Sequence, residues 1–203
     1  MLKQREREAT RAGFSFIVGC DEAGRGPLVG PVVGAACHVP VDLEVLGLND
    51  SKKLSEKNRQ KVFDRIVCCS DIKYGVSIVG PKEIDQINIL QASLKAMKNA
   101  VNEIGTGVDF IFIDGNRSFA SAIEIETVVK GDAKVASIAA ASIIAKVTRD
   151  QIMNELAKKH PEYGFERNKG YPTKEHLEAL SKYGPIEEHR LSFAPLKNLY
   201  NYC

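Results

Sequence analysis

The sequence predicts an α/β fold, and three observations carry the prediction. Phe110-Ile111-Phe112-Ile113 is a wholly apolar run of the kind that fills a strand covered on both faces. An Ala-rich segment from about Val135 to Lys159 repeats Ile138, Ala141, Ala145, Thr148, Ile152 and Leu156 at spacings of three and four, so one narrow helical face can pack on a sheet. Between these and the N-terminus, strand-like runs alternate with stretches of helical periodicity.

In chain order, Phe14, Phe16, Ile17 and Val18 read as a buried strand, and Leu28 to Cys37 as a second, with Pro31 marking a bulge or an edge. These two runs form a hairpin. Ser55 can cap a helix carrying Val62, Phe63, Ile66 and Val67, and Tyr74 to Val79 reads as a third strand. Pro81 suits the first turn of a longer helix with Ile84, Ile87, Leu94, Met97, Val101 and Ile104 on one stripe, stopped by Gly105. After the central run, Glu124 to Val129 is a fifth strand, Thr173 begins a last short helix closed by Tyr183-Gly184-Pro185, and the tail reads as irregular. There is no repeat, low-complexity stretch or flexible linker. A chain of 203 residues with 44% apolar content can bury one good-sized core. A single catalytic body, 1–203, is therefore expected, with about 160–203 as a C-terminal extension packed on it.

Net charge is +2, which excludes a polycation and leaves nucleic-acid binding to a local patch. One such patch lies between Lys146 and Lys174, where Lys146, Arg149, Lys158, Lys159, Arg167, Lys169 and Lys174 outnumber Asp150, Glu155, Glu162 and Glu166; a solvated mixed-charge helix explains it equally well. Cys20, Cys37, Cys68, Cys69 and Cys203 show no Cys-x-x-Cys spacing and no zinc-ligand interval to a histidine, as expected of reduced thiols in a cytosolic protein. The charged Met1 to Glu8 stretch lacks the apolar core of a signal peptide, and no apolar run approaches the ~20 residues that span a bilayer. A cytoplasmic protein without membrane contact is expected.

The chemistry centres on Gly19-Cys20-Asp21-Glu22-Ala23-Gly24-Arg25-Gly26-Pro27. Adjacent acids recur by chance in a chain this acidic, as at Glu187-Glu188, but these two stand where an apolar strand ends, the place where α/β sheets bind ligands. Asp114 ends the central run and Asp132 stands before the Ala-rich helix, so Asp21, Glu22, Asp114 and Asp132 come from three segments at or beside strand ends. Such carboxylates could hold a hard cation such as Mg²⁺ against a substrate phosphate. Equally, Asp114-Gly115 is a common turn dipeptide and Asp132 could cap the helix that follows. The Gly-rich run fits neither a Walker A sequence nor a dinucleotide loop, so a plain Gly-rich turn is the simpler reading unless Arg25 has a role. Lys52 and Lys53 could contact phosphate or be solvated, and His160, His176 and His189 read as structural.

Taken together, these residues resemble ribonuclease HII, the type 2 ribonuclease H, through nearly the whole chain. Five blocks carry the resemblance: Gly19 to Gly26, Asp50-Ser51-Lys52-Lys53-Leu54, Ile113-Asp114-Gly115, Lys130-Gly131-Asp132 leading into Ile138 to Asp150, and Gly170-Tyr171-Pro172-Thr173 with His176. His189-Arg190-Leu191-Ser192-Phe193 also fits. The resemblance implies a ribonuclease H-like fold, a five-stranded mixed sheet flanked by helices. It assigns Asp21, Glu22, Asp114 and Asp132 to two bound Mg²⁺ or Mn²⁺ ions, and leaves Asp150 to an ion pair with a helical neighbour. Gly24, Arg25 and Gly26 would read a ribose 2′-hydroxyl, Tyr171 would stack on the following sugar, and Lys52 and Lys146 would contact substrate. The implied reaction is hydrolysis of RNA in RNA/DNA hybrids and incision 5′ of ribonucleotides in duplex DNA, leaving 3′-hydroxyl and 5′-phosphate ends, by a monomer. Two competitors remain: the sister type, ribonuclease HIII, and a non-catalytic hybrid-binding protein that keeps the fold. The tail Lys197 to Cys203 shows no clamp-binding motif, so no sliding-clamp partner is expected.

Overall fold

The computed structural model describes residues 2–45, 47–48 and 54–199. A short helix, α1 (Gln4–Arg11), precedes β1 (Ile17–Ala23), which runs past the apolar stretch and carries Asp21 and Glu22 within its last residues. Strand β2 (Val32–His38) returns antiparallel to β1, with Gly19 opposite Cys37 and Ala23 opposite Val33. The bulge or edge expected at Pro31 is corrected: Pro31 stands just before β2, outside the ladder, so its missing N–H breaks no strand pairing.

Helix α2 (Glu56–Cys68) starts at the predicted cap, where Ser55 Oγ accepts from the Asn58 N–H at 3.4 Å. Strand β3 (Lys73–Val79) pairs antiparallel with β2. Helix α3 (Pro81–Ile104) ends at Gly105 as expected, but Asn88 interrupts it with φ +65°. Asn88 Oδ1 accepts from the Leu90 and Gln91 N–H groups at 3.0 and 3.1 Å, so the side chain restarts the helix as an internal N-cap. Strand β4 (Phe110–Asp114) lies parallel to β1, and β5 (Glu124–Val128) parallel to β4. The sheet is therefore five-stranded and mixed, in the order β3-β2-β1-β4-β5, as the resemblance implies. A 3-10 turn at Gly131–Ala133 precedes α4 (Ala136–Lys159), and a second at Pro161–Tyr163 precedes α5 (Phe165–Asn168), α6 (Lys174–Tyr183) and α7 (Leu196–Leu199). The last places a short helix in a tail read as irregular.

The two faces of the sheet are covered by α3 and α4. Val18, Cys20, Ile111 and Ile113 meet Met97, Ala100 and Val101 of α3. On the other face, Val33 and Ala35 pack on Ala139, Ala140, Ile143 and Ile144 of α4, and α2 adds Val62 and Ile66 to the same cluster. The expectation of one narrow packed face on α4 is corrected, because most of its positions from Ala136 to Leu156 are buried. Alanines make this possible: with only a methyl group on each, the helix can have the sheet on one side and α2 on the other without leaving voids. Its N-terminus is not capped by its own Val135. The buried Glu6 of α1 supplies the acceptor instead, taking hydrogen bonds from the Ser137 N–H at 2.9 Å and Ser137 Oγ at 3.1 Å.

Strand glycines, among them Gly19, Gly34 and Gly75, set how near the helices come. A Cβ on Gly19 would lie 2.2 Å from Ile138 N of α4, and one on Gly34 would lie 2.4 Å from Ala96 C of α3. Both obstacles are backbone and cannot swing aside. Gly34→Ala is therefore expected to destabilise the protein by about 1–3 kcal/mol through overpacking. That corresponds to a fall in melting temperature of roughly 2–4 °C per kcal/mol for a chain of this size, measured by thermal denaturation.

Candidate active site

The acids converge because of strand register and side-chain alternation. In the parallel β1–β4 ladder Cys20 lies beside Ile113, so the next step along both strands sets Asp21 beside Asp114. Alternation then puts Gly19 and Asp21, together with Phe110, Phe112 and Asp114, on the face toward α4. Asp21 is 7% exposed; one oxygen accepts from the Glu22 N–H at 2.7 Å, and Ser142 of α4 hydrogen-bonds the carboxylate. Asp114 Oδ1 accepts from the Gly131 N–H at 2.5 Å, which draws the turn bearing the buried Asp132 to the end of β4. Asp132 does not cap α4, whose cap position is Val135. Asp114-Gly115 does turn the chain, with Gly115 at φ +101°, but the carboxylate faces the other acids and not the turn alone.

Burial, followed by the charges of Glu22 and Asp114, pushes the Asp21 carboxyl up to about 8. Burial raises Glu22 as well, opposed by Arg25, whose guanidinium donates to Glu22 Oε1 at 3.2 Å. The carboxylates thus hold one another in a state that an added cation would relieve, and an all-carboxylate donor set suits a hard ion such as Mg²⁺ or Mn²⁺. Among the described residues, no three or more His, Cys, Asp or Glu side chains are grouped so as to hold a metal ion. Asp21 feels the charges of Glu22 and Asp114, and the turn bearing Asp132 is tied to Asp114 by the Gly131 N–H, so the acids are neighbours without a ready-made metal site.

Beyond β1 the chain turns at Gly24, φ +100°, into a cleft lined by Glu22, Gly24, Arg25, Gly26, Lys146 and Tyr171. Tyr171 is 45% exposed, and its ring edge abuts Gly26: a Cβ there would sit 3.2 Å from Tyr171 Cε1. Two predicted substrate contacts far apart in sequence are thus adjacent. Lys146 reaches the cleft while paired to Asp150 at 2.7 Å, the helical ion pair expected of Asp150. Lys52 lies outside the described residues, as does Lys53.

Two arginines were not picked out by the sequence reading. Arg149, counted there among surface bases, is buried and donates to Pro31 O, Lys169 O and Val29 O, each at 3.1 Å. Arg190, from the tail, is fully buried and donates to Gly30 O at 2.9 Å, Arg25 O at 3.2 Å and Gly24 O at 2.7 Å. Burial, then the neighbouring Arg149 charge, lowers Arg190 to about 9, so it remains a cation at neutral pH. Both guanidiniums are satisfied by backbone carbonyls of the Gly24–Pro31 loop and of Lys169, so the loop's shape is set from beneath. For Arg149 the available signal was its place in an Ala-rich apolar helix; for Arg190 there was no periodic signal. The described cysteines, Cys20, Cys37, Cys68 and Cys69, are free, and among the described residues no helix is long and apolar enough to cross a membrane.

Comparison with known proteins agrees with this fold. The family model for ribonuclease HII matches residues 18–196. The ribonuclease HII of Acetivibrio thermocellus is 55% identical over 188 residues, covering 93% of this chain and 73% of the relative. That of Geobacillus sp. strain WCH70 is 50% identical over 198 residues, covering 98% and 71%. Among solved structures, the ribonuclease H2 of Pyrococcus horikoshii OT3 superposes with a TM-score of 0.77 at 29% identity, covering 92% of this chain and 98% of that one. Fold and relatives together define a hydrolytic nuclease of ribonuclease H-like architecture. The chain belongs to the ribonuclease HII family, the class of endoribonuclease that acts on RNA/DNA hybrids, which sets aside both the type 3 and the non-catalytic alternatives.

The raised Asp21 carboxyl has a thermodynamic consequence. Between its unfolded value of 3.8 and its folded value of about 8, the folded state retains a proton that the unfolded chain has released. The stability this group contributes is complete below the lower value and is lost as pH rises through the upper one. In chelator, Asp21→Asn is therefore expected to melt above the parent protein, with a gap that widens from pH 5 to pH 9 and reaches at least ~2–4 °C, the equivalent of about 1 kcal/mol. Thermal denaturation across that pH range checks it; a gap independent of pH would contradict it.

Proposed function

We propose that the protein hydrolyses the RNA strand of RNA/DNA hybrids and incises 5′ of single ribonucleotides embedded in duplex DNA, leaving 3′-hydroxyl and 5′-phosphate ends. The observation that carries this reading is that Glu22, the Gly24-Arg25-Gly26 loop and Tyr171 line one cleft, with the buried Asp21 and Asp114 close enough to Glu22 to interact with it. Residues 1–203 act in this reading as one catalytic unit, a cytoplasmic monomer with a part in ribonucleotide excision repair; no sliding-clamp contact is invoked.

Asp21, Glu22, Asp114 and Asp132 would hold Mg²⁺ or Mn²⁺. When bound, such ions would supply positive charge to orient a water and to stabilise a departing 3′-oxygen. The protein's own groups provide the rest. Ser142 and the Glu22 N–H orient the Asp21 carboxylate, and Gly131 N–H orients that of Asp114. Gly24 and Gly26 leave no side chain between the backbone and a ribose, so peptide groups can meet a 2′-hydroxyl, which both donates and accepts. Arg25, paired with Glu22, ties that loop to the acids. Tyr171 offers an exposed aromatic face to the next sugar, where a 2′-hydroxyl would interfere with stacking. Lys146, and Lys52 with it, contact the phosphates in this reading. Selection thus rests on the sugar and not on the base.

The experiment compares two substrates, a duplex with one ribonucleotide and a long RNA/DNA hybrid. Asp114→Asn should abolish cleavage of both while the far-ultraviolet spectrum is unchanged. Tyr171→Ala should remove a stacking contact worth ~1–3 kcal/mol, a loss of roughly five- to 150-fold at the lone ribonucleotide, with a smaller loss on the hybrid, where many registers are available. Equal losses on both substrates with a lower melting temperature would make Tyr171 a packing residue and remove it from substrate reading.

A further inference from the structure

His176 and His189 are both buried, and both lie against Tyr163 and Phe165 in the apolar cluster beneath the cleft. Their Nε2 atoms are 3.3 Å apart. Two neutral imidazoles at that distance require one to donate and the other to accept, and their outer contacts decide which. His189 Nδ1 is 2.9 Å from the Ile186 N–H, an obligate donor, so this nitrogen carries the lone pair and the proton resides on Nε2. His176 Nδ1 is 2.9 Å from the Tyr171 carbonyl, an obligate acceptor, so this nitrogen carries the proton and Nε2 is free to accept. The hydrogen bonds thus run in one direction, from Ile186 N–H through His189 and then His176 to Tyr171 C=O.

The surroundings keep both rings neutral. Burial, then the neighbouring His176, pushes His189 down to about 4, and burial lowers His176. From other elements, His160 adds to the lowering of His189, and Tyr163, whose ring lies against both imidazoles, donates its hydroxyl to Gly184 O. A proton added to either ring would place two N–H groups face to face and break the chain.

The carbonyl at its end belongs to the residue whose ring abuts Gly26. The peptide that enters Tyr171 is held by the Leu28 N–H, which donates to Gly170 O at 2.8 Å, and by the Tyr171 N–H, which donates to Asn168 O at 2.9 Å; the Tyr171 carbonyl also accepts locally from the Thr173 N–H at 2.8 Å. On the carbonyl side of Tyr171 the long-range restraint is the histidine pair, and the next residue after His189 is Arg190, which grips Gly24 and Arg25 from below. One dipeptide of the tail therefore reaches both walls of the cleft. We propose that His189, acting through His176, is a positioning residue that sets the Tyr171 ring against the Gly24-Arg25-Gly26 loop and so tunes selection of the sugar. This rests on the proposed sugar-reading role of Tyr171.

Two measurements test it. In the wild-type protein at neutral pH, imidazole ¹⁵N correlation spectra should show single tautomers, the proton on Nδ1 of His176 and on Nε2 of His189; the reverse pair, or averaged tautomers, would overturn the relay whatever any variant does. The second is a double-mutant cycle on the duplex with one ribonucleotide. His189→Leu should lower kcat/KM by roughly five- to tenfold, the effect of losing one buried hydrogen bond. His189→Gln, which keeps a side-chain N–H, should recover most of that loss, and in a Tyr171→Ala background His189→Leu should cost nothing more. Additive losses would show that His189 acts on stability and not through Tyr171. If Tyr171→Ala alone has no effect on this substrate, the sugar-reading role itself falls and the proposal with it, an outcome distinct from additivity.

Discussion

The parallel pairing of β1 with β4 is the constraint on which the rest of the molecule depends. The register that sets Cys20 beside Ile113 brings Asp21 to Asp114 and keeps both on the α4 side of the sheet. A slip of one residue would turn every side chain of β1 to the opposite face, carrying the acids into the apolar layer under α3. Several features hold that register. Val18 and Cys20 fill the α3 face, Gly19 admits the first turn of α4, and Glu6 ties that turn to α1. A Cβ on Gly19 would strike the α4 backbone and move Ser142 away from Asp21 together with the helix. Core packing and site geometry are thus the same contacts seen from two ends.

The second layer of organisation is the pair of buried arginines under the loop. A buried guanidinium commonly meets a carboxylate, whereas here the acceptors are backbone carbonyls of the chain being shaped. The carbonyls replace water around each cation, which offsets much of the desolvation cost. They also give up their freedom, because five planar donors demand acceptors in fixed directions. A loop held in this way needs no regular structure of its own to present Gly24 and Gly26 to a ligand, and the cost of ordering it is met at folding and not at binding. The tail from Ile186 to Phe193 is therefore part of the cleft, although none of its side chains lines the cleft's surface.

How much of this was legible in the sequence depends on which residues carry it. Local signals were read well: the Phe110 to Ile113 run, the Ser55 cap, Pro81 and Gly105 at the ends of α3, and acids beside strand ends all act within a few residues of where they stand. The nearness of the four acids was suggested by their shared position at strand ends, and the family resemblance made it specific. What escaped was long-range or of an uncommon kind. Arg149 and Arg190 look like surface charges because charge is usually solvated, and only the folded chain shows carbonyls converging on them. Pro31 was placed in a strand because the apolar run around it continues into a loop that is buried for other reasons. The near-complete burial of α4 was hidden by alanine, which is at home on any face of a helix. The break at Asn88 depends on a side chain replacing a backbone acceptor, and hydrophobic periodicity does not register it.

The central claim is that strand register gathers Asp21 and Asp114 into one cation site. Anomalous diffraction from crystals grown with Mn²⁺ tests it most directly. The account predicts an anomalous peak contacted by both carboxylates, which disappears in Asp114→Asn crystals. Mn²⁺ bound at Asp150 or elsewhere on the surface, with Asp21 and Asp114 left without a peak at saturating metal, would contradict it.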